Sequence, residues 1–169
     1  MSDSTNPVFF VDAYAEPVVV RIDGRASFMN CGGLKDFFAV LMRQGKYRFI
    51  VDFRLCASMD STFLGVLAGV AIELRRQGPG GRLTLVRVGE RNLELIRNLG
   101  LHRLAIVDTS DTLAPAGAGS LVIDGGVRSE IESARLMLEA HESLIATDPA
   151  NTAKFQDVLA YLRNRLEIR

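Results

Sequence analysis

The residues that are scarce in this chain narrow its chemistry. Only two cysteines are present, Cys31 and Cys56, too few for a disulfide framework. The two histidines, His102 and His141, lie far apart and offer no zinc spacing. Neither sign of charge prevails, since twenty basic and twenty acidic residues leave a formal net charge of zero and a pI near 6.7. That balance carries no electrostatic footprint for nucleic acid or an anionic membrane. The opening MSDSTNPVFF has neither the basic start nor the apolar run of a signal peptide. The longest nearly unbroken apolar stretch, Phe63 to Leu74, contains Glu73 and is too short to span a bilayer. These features point to a soluble protein of a reducing, cytoplasmic compartment, with no insertion into a membrane.

Catalytic signatures are missing as well. Gly45-Lys46 runs into Tyr47 with no glycine five residues earlier, so there is no phosphate loop. Neither G-x-S-x-G nor H-E-x-x-H occurs. Gly78, Gly80 and Gly81 are followed by Leu83 where a dinucleotide fingerprint needs glycine, and they read as a turn. Cys56, just after an apolar run, is either a nucleophile or a small buried thiol, and no neighbouring histidine activates it. His102 reads as structural or as a surface residue. The residues require no metal and no cofactor, and an enzyme is the weaker class.

What is present is a pattern. The chain has 169 residues, 48% hydrophobic and 24% charged, which suits one domain burying roughly 70% of its unfolded surface. Val8–Val11 and Val18–Ile22 are strand-like runs around a turn at Ala15-Glu16-Pro17, and Gly24 breaks the second. Between Asn30 and Gly45 the period becomes helical, with Leu34, Phe37, Phe38 and Leu41 on one face. Phe49–Phe53 is almost wholly apolar, as in a strand buried on both faces. A helix follows over Asp60–Gln77, then a strand at Leu83–Val88, a helix at Glu90–Leu99 stopped by Gly100, and a strand at Leu104–Val107. Alternation at this spacing predicts an α/β layer fold.

After residue 110 the composition changes. Residues 111–128 read as a linker, and 129–169 as a two-helix extension behind a body of residues 1–110. The first helix, about 129–146, carries Ile131, Ala134, Leu138 and Ile145 on one stripe. The second opens at Asp148-Pro149, an N-cap followed by proline at the first helical position. Its Phe155, Val158, Leu159, Leu162 and Leu166 form a regular apolar face. This face either folds back within the chain as an αα-hairpin or recruits a partner or second copy. Mixed charges on both helices argue against a membrane-surface role.

The informative stretch is Ile50–Leu67, IVDFRLCASMDSTFLGVL. An apolar strand leads through a short loop into Met59-Asp60-Ser61-Thr62, which opens a helix with Asp60 as N-cap and Ser61 at the first helical position. On physics alone this is ordinary capping. A phosphoryl group on Ser61 would nonetheless meet the unpaired amides and positive field of a helix N-terminus. It would change the surface charge by about −2. Gly65 and Gly69, four apart in the helix, predict a close packing approach there, such as to the sheet.

Met59-Asp60-Ser61-Thr62 followed by Leu64-Gly65-Val66-Leu67 resembles the signature of the STAS domain, the sulfate transporter and anti-sigma factor antagonist family. Val18–Ile22 with Gly24-Arg25 is similar to the family's second strand and following loop, and Leu83–Val88 with Leu93–Val107 to its closing strand–helix–strand. The resemblance covers roughly residues 8–110. It implies an α/β fold with a small mixed β-sheet and helices packed mainly on one side, here followed by the C-terminal helical extension.

For antagonist members it further implies a non-enzymatic phosphoswitch. Ser61 would be the phosphoacceptor, the partner an anti-sigma factor of serine-kinase type, and a phosphatase would act on Ser61. The partner surface would comprise Gly24, Arg25, Ser27 and Asn30 in the loop, with Met59, Asp60, Thr62, Phe63 and Leu64 at the helix start. Two residues depart from the family pattern. Phe63 stands where glycine is usual, packing inward or altering partner choice, and the loop reads Arg25-Ala26-Ser27 where an acidic residue is common. The alternative within the family is a regulatory or scaffold subunit of a membrane transport complex, using the same helix.

Overall fold

A computed structural model describes residues 8–110, 121–123, 125 and 128–167. The chain runs β1 (Phe9–Asp12), β2 (Val18–Ala26), α1 (Cys31–Arg43), β3 (Arg48–Met59), α2 (Ser61–Arg76), β4 (Arg82–Val86) and α3 (Glu90–Asn98). A single 3-10 turn (Leu101–Arg103), β5 (Ile106–Asp108), β6 (Leu121–Ile123), α4 (Glu130–Thr147) and α5 (Asn151–Arg165) complete it. Six strands form one mixed sheet in the order β5-β4-β3-β2-β1-β6. Strands β2 to β5 are mutually parallel, because a helix carries the chain back between each pair, while β1 is antiparallel to both β2 and β6.

Alternation along the strands decides which face is covered. Phe9, Val11, Val18, Val20, Ile22, Phe49, Val51, Phe53, Leu83 and Leu85 are all buried and join one core with Leu34 and Phe38 of α1 and Leu64, Leu67 and Leu74 of α2. The neighbouring positions Phe10, Arg21, Ile50 and Thr84 on the other face are only half-buried. There Arg21 lies over the Phe10 ring at 4.5 Å. The α/β fold is thus as the sequence pattern predicts, and the mixed sheet with helices mainly on one side is as the resemblance implies.

Three boundaries differ. Gly24 does not end its strand. β2 continues to Ala26 and β3 to Met59, the two pairing through register shifts at Arg21/Asp23 and Gly24/Arg25. Gly24, at φ +111, supplies the backbone angle that lets this irregular pairing proceed. The expected loop before Met59 is therefore strand, and Gly24, Arg25 and Ala26 belong to the sheet. Within the expected linker 111–128, Leu121–Ile123 pairs with β1 as an edge strand, while residues 111–120 lie outside the described ones. Finally, α5 begins at Asn151 and not at Pro149. Asp148 closes α4, its N–H donating to Leu144 O, and its carboxylate accepts from Ala150 N at 3.0 Å, so one residue serves the whole turn.

The extension folds back inside the chain. Ala134 and Leu138 of α4 meet Leu159 and Leu162 of α5 in a small core of their own, the αα-hairpin. A second face of α4, with Leu136, Ala140 and Leu144, joins the main core against α2. The stripe visible in the sequence is the one facing α5, and its Ile131 remains exposed. Gly65 and Gly69 take their meaning from α4 and not from the sheet. A Cβ on Gly65 would overlap the Ala140 carbonyl and lie 2.6 Å from Ala140 Cβ. One on Gly69 would sit 3.2 Å from Ser143 Oγ.

Candidate functional site

The buried strand β3 delivers Asp60 and Ser61 to one end of the sheet, where α2 begins. Asp60 holds two elements at once. Its Oδ1 accepts from Phe63 N at 2.9 Å, capping α2, and its Oδ2 accepts from Phe28 N at 2.9 Å, tying down the β2–α1 loop. Asn30 shapes the same loop, accepting from Ser27 N at 2.9 Å and donating to Arg25 O at 2.8 Å. Ser27 Oγ accepts from Met29 N at 3.2 Å. Asp60 N donates to Ala26 O at 3.2 Å, which locks the strand end to the helix start. Asn30 thus ties Ser27 to Arg25, Asp60 holds the same loop through Phe28 N and Ala26 O, and Gly24 precedes them in β2.

The helix-start residues split by helical period. Ser61 is half-buried at the rim. Thr62, Phe63 and Leu64 point into the core, at 4%, 0% and 1% exposed, and Met59 is 9% exposed. Phe63 stacks on Phe9 (centroids 5.9 Å, 16°) and meets Phe53 edge-on at 6.5 Å. It packs inward as core. Met59, Thr62, Phe63 and Leu64 therefore offer no docking area in this fold, because the sheet itself has taken up their apolar surface. The apolar groups that do face solvent beside Asp60 are Phe28 and Met29, at 38% and 70% exposed. Sequence periodicity could not find them, since a loop has none. The available signal was two large apolar side chains between a strand and a helix.

Sequence reasoning also missed His141. From α4 it reaches Ser61, with Nε2 and Ser61 Oγ 2.9 Å apart. Its other ring nitrogen, Nδ1, is 2.6 Å from the Met137 carbonyl, one turn back. A carbonyl only accepts, so Nδ1 carries a proton, and in the neutral imidazole Nε2 then accepts from the Ser61 hydroxyl. His141 is 4% exposed and packs edge-on against Phe155 of α5 at 4.8 Å. The group that orients the imidazole is thus a backbone carbonyl, where a hydrolytic triad places a carboxylate.

The remaining candidates are two shielded thiols and a surface histidine. Cys31 is fully buried, and burial, with Asp60 adding to it, pushes its thiol up to about 12. Cys56 is half-buried on β3, and burial raises its thiol to about 11. His102 is exposed in the 3-10 turn. Among the described residues no cluster of three or more His, Cys, Asp or Glu side chains could hold a metal, and no helix is long and apolar enough to cross a membrane.

The fold is thus a one-sided mixed sheet that presents an aspartate-capped serine at the start of its second helix. A profile of the family described as "Mlab, STAS domain" matches residues 9–108, and the chain belongs to the STAS family. Solved structures with the same fold include a Thermotoga maritima protein described as an anti-sigma factor antagonist. It is 17% identical at TM-score 0.50, over 66% of this chain and 93% of that one. The anti-sigma factor antagonist SpoIIAA in its unphosphorylated form is 20% identical at TM-score 0.51, over 62% and 89%. The Bacillus cell fate determinant SpoIIAA in its phosphorylated form is 21% identical at 0.50, over 61% and 92%. No curated protein matches the chain in sequence. The family match ends at residue 108, before β6 and the α4–α5 hairpin.

Proposed function

We propose that the protein is a non-enzymatic regulator of the anti-sigma factor antagonist kind, with Ser61 as its phosphoacceptor. A serine-kinase-type anti-sigma factor would dock on the rim formed by Arg25, Ser27, Phe28, Met29 and Asn30 with Asp60 and Ser61. The observation that carries the reading is the place of Ser61, first in α2 behind the Asp60 cap, where the helix field and unpaired amides favour added negative charge. That SpoIIAA, which shares the fold, exists in a phosphorylated form adds support. In the transfer, Ser61 Oγ bonds the γ-phosphorus of ATP held by the partner. The bridging P–O bond breaks, ADP leaves with its electron pair, and the hydroxyl proton passes to a base.

Phosphate then weakens docking by placing about two charges in an interface that would desolvate them. A phosphatase would restore the binding form. Affinity capture from the host with wild type, Ser61→Ala and Ser61→Asp tests this. A kinase-like protein held by wild type and Ser61→Ala but lost by Ser61→Asp is the expected result. Equal capture by both variants refutes the switch, and capture of a transport ATPase indifferent to Ser61 replaces it with the transport-scaffold role.

A further inference from the structure

The face of α2 that carries Ser61 already has an occupant. We propose that the α4–α5 hairpin is an intramolecular gate, closed over α2 with His141 on Ser61, which must lift for a partner to reach the serine; this rests on the reading of Ser61 above.

Four features fit a gate better than a permanent part of the core. The hairpin holds itself together through its small α4–α5 core and a reciprocal capping box in which Ser129 Oγ accepts from Glu132 N at 3.1 Å and Glu132 returns the bond to Ser129 N at 2.9 Å. Between Arg128 and Ala140 it grips the body through one buried leucine, Leu136, the small Ala140 and two ion pairs. Ala140 rests on Gly65, Lys35 meets Glu139 at 2.7 Å, and Arg128 meets Asp36 at 2.8 Å. The Lys35–Glu139 pair, exposed at both ends, is individually weak. The seam is incompletely filled, since a cavity of about 190 Å³ lies between α1, α2 and α4, lined by Lys35, Ala39, Met42, Val66, Val70 and Ala140. The far end, by contrast, is anchored. Leu144 is fully buried, and Asn151 Nδ2 donates to Leu99 O at 2.9 Å and Leu144 O at 2.7 Å.

The hinge is therefore the Leu144–Asn151 corner, and residues 130–141 with the C-terminal half of α5 are what swings. In the closed state the Ser61 hydroxyl is bonded to a buried imidazole 2.9 Å away, with no room for a phosphorus atom between them. Once phosphorylated, the chain could not re-form this contact, so the modification would also hold the gate open.

Hydrogen exchange on the full chain tests the gate without any partner, so its outcome is independent of whether Ser61 is ever phosphorylated. Gly65→Ala wedges against Ala140, inside the segment that swings. Wild-type residues 130–141 should exchange at least about tenfold faster than β2–β4, because they open without the sheet. Gly65→Ala should speed them about tenfold and leave the sheet unchanged. In a Gly69→Cys/Ser143→Cys variant the two Cβ atoms would lie 3.9 Å apart, suited to a disulfide that pins α4 beside the hinge and should leave this opening in place; loss of the opening on oxidation would overturn the hinge. Exchange of hairpin and sheet at one common rate in wild type, unaltered by Gly65→Ala, would overturn the gate while leaving the Ser61 phosphoswitch to its own test.

Discussion

Asp60 is the residue whose removal most directly tests how the site is built, because one carboxylate makes two separable bonds. The cap to Phe63 N contributes about 1 kcal/mol, as helix N-caps do. The bond to Phe28 N has an ionised acceptor, and at the edge of an open loop it contributes about 1.5 kcal/mol. Asp60→Ala loses both, roughly 2.5 kcal/mol, which for a chain of this size lowers Tm by roughly 5–10 °C. Asp60→Asn keeps an oxygen for the cap but turns an N–H donor toward Phe28 N, so it should lose only the loop bond, about 1.5 kcal/mol. Urea unfolding followed by circular dichroism gives both values from the midpoint shift at unchanged slope. Exchange at Phe28 and Met29 should rise in both variants, and exchange at the first turn of α2 only in Asp60→Ala. If Asp60→Asn is as stable as wild type, the loop bond contributes nothing. If Asp60→Ala loses less than about 0.5 kcal/mol, the capping account is wrong as well.

Other substitutions separate core from surface. Phe63→Ala should cost about 3–5 kcal/mol, as for any fully buried phenylalanine, and a loss below about 1 kcal/mol would contradict its placement between Phe9 and Phe53. Met29→Ser should leave stability within about 0.5 kcal/mol while weakening capture of the partner, and unchanged capture would remove the loop tip from the docking surface. Asn151→Ala strips the donor from two buried carbonyls and should cost roughly 2–4 kcal/mol in thermal or urea unfolding, whereas a change within error would refute the anchor. At pH 8 a thiol reagent should label native Cys31 about a thousandfold and Cys56 about a hundredfold more slowly than a thiol at the ordinary 9.0, and rapid labelling of either would contradict its burial. Both thiols stay protonated in the fold while unfolded thiols ionise. Their contribution to stability is therefore full below pH 9 and is lost as pH rises toward 11–12.

The sequence by itself determined the local features. Alternating apolar runs and helical periods placed the strands and helices of the body, because each depends on residues a few positions apart. Asp60 was legible as a cap and Ser61 as the first helical residue for the same reason, since capping is chemistry within one turn. The apolar face of α5 was legible too, as was the choice of partners it could take. Only the tertiary structure decided among those partners, putting α4 beneath α5 and α2 beneath α4. Gly65 shows why. Its lack of a side chain announced a close approach, but the approaching atom belongs to Ala140, 75 positions away along the chain. Phe63 read equally well as core or docking surface, and Leu64 as docking surface, until the fold buried both. The meeting of Ser61 with His141, 80 residues apart, has no periodicity or spacing to betray it. It exists because a hairpin outside the family's domain packs on the helix that opens with the serine.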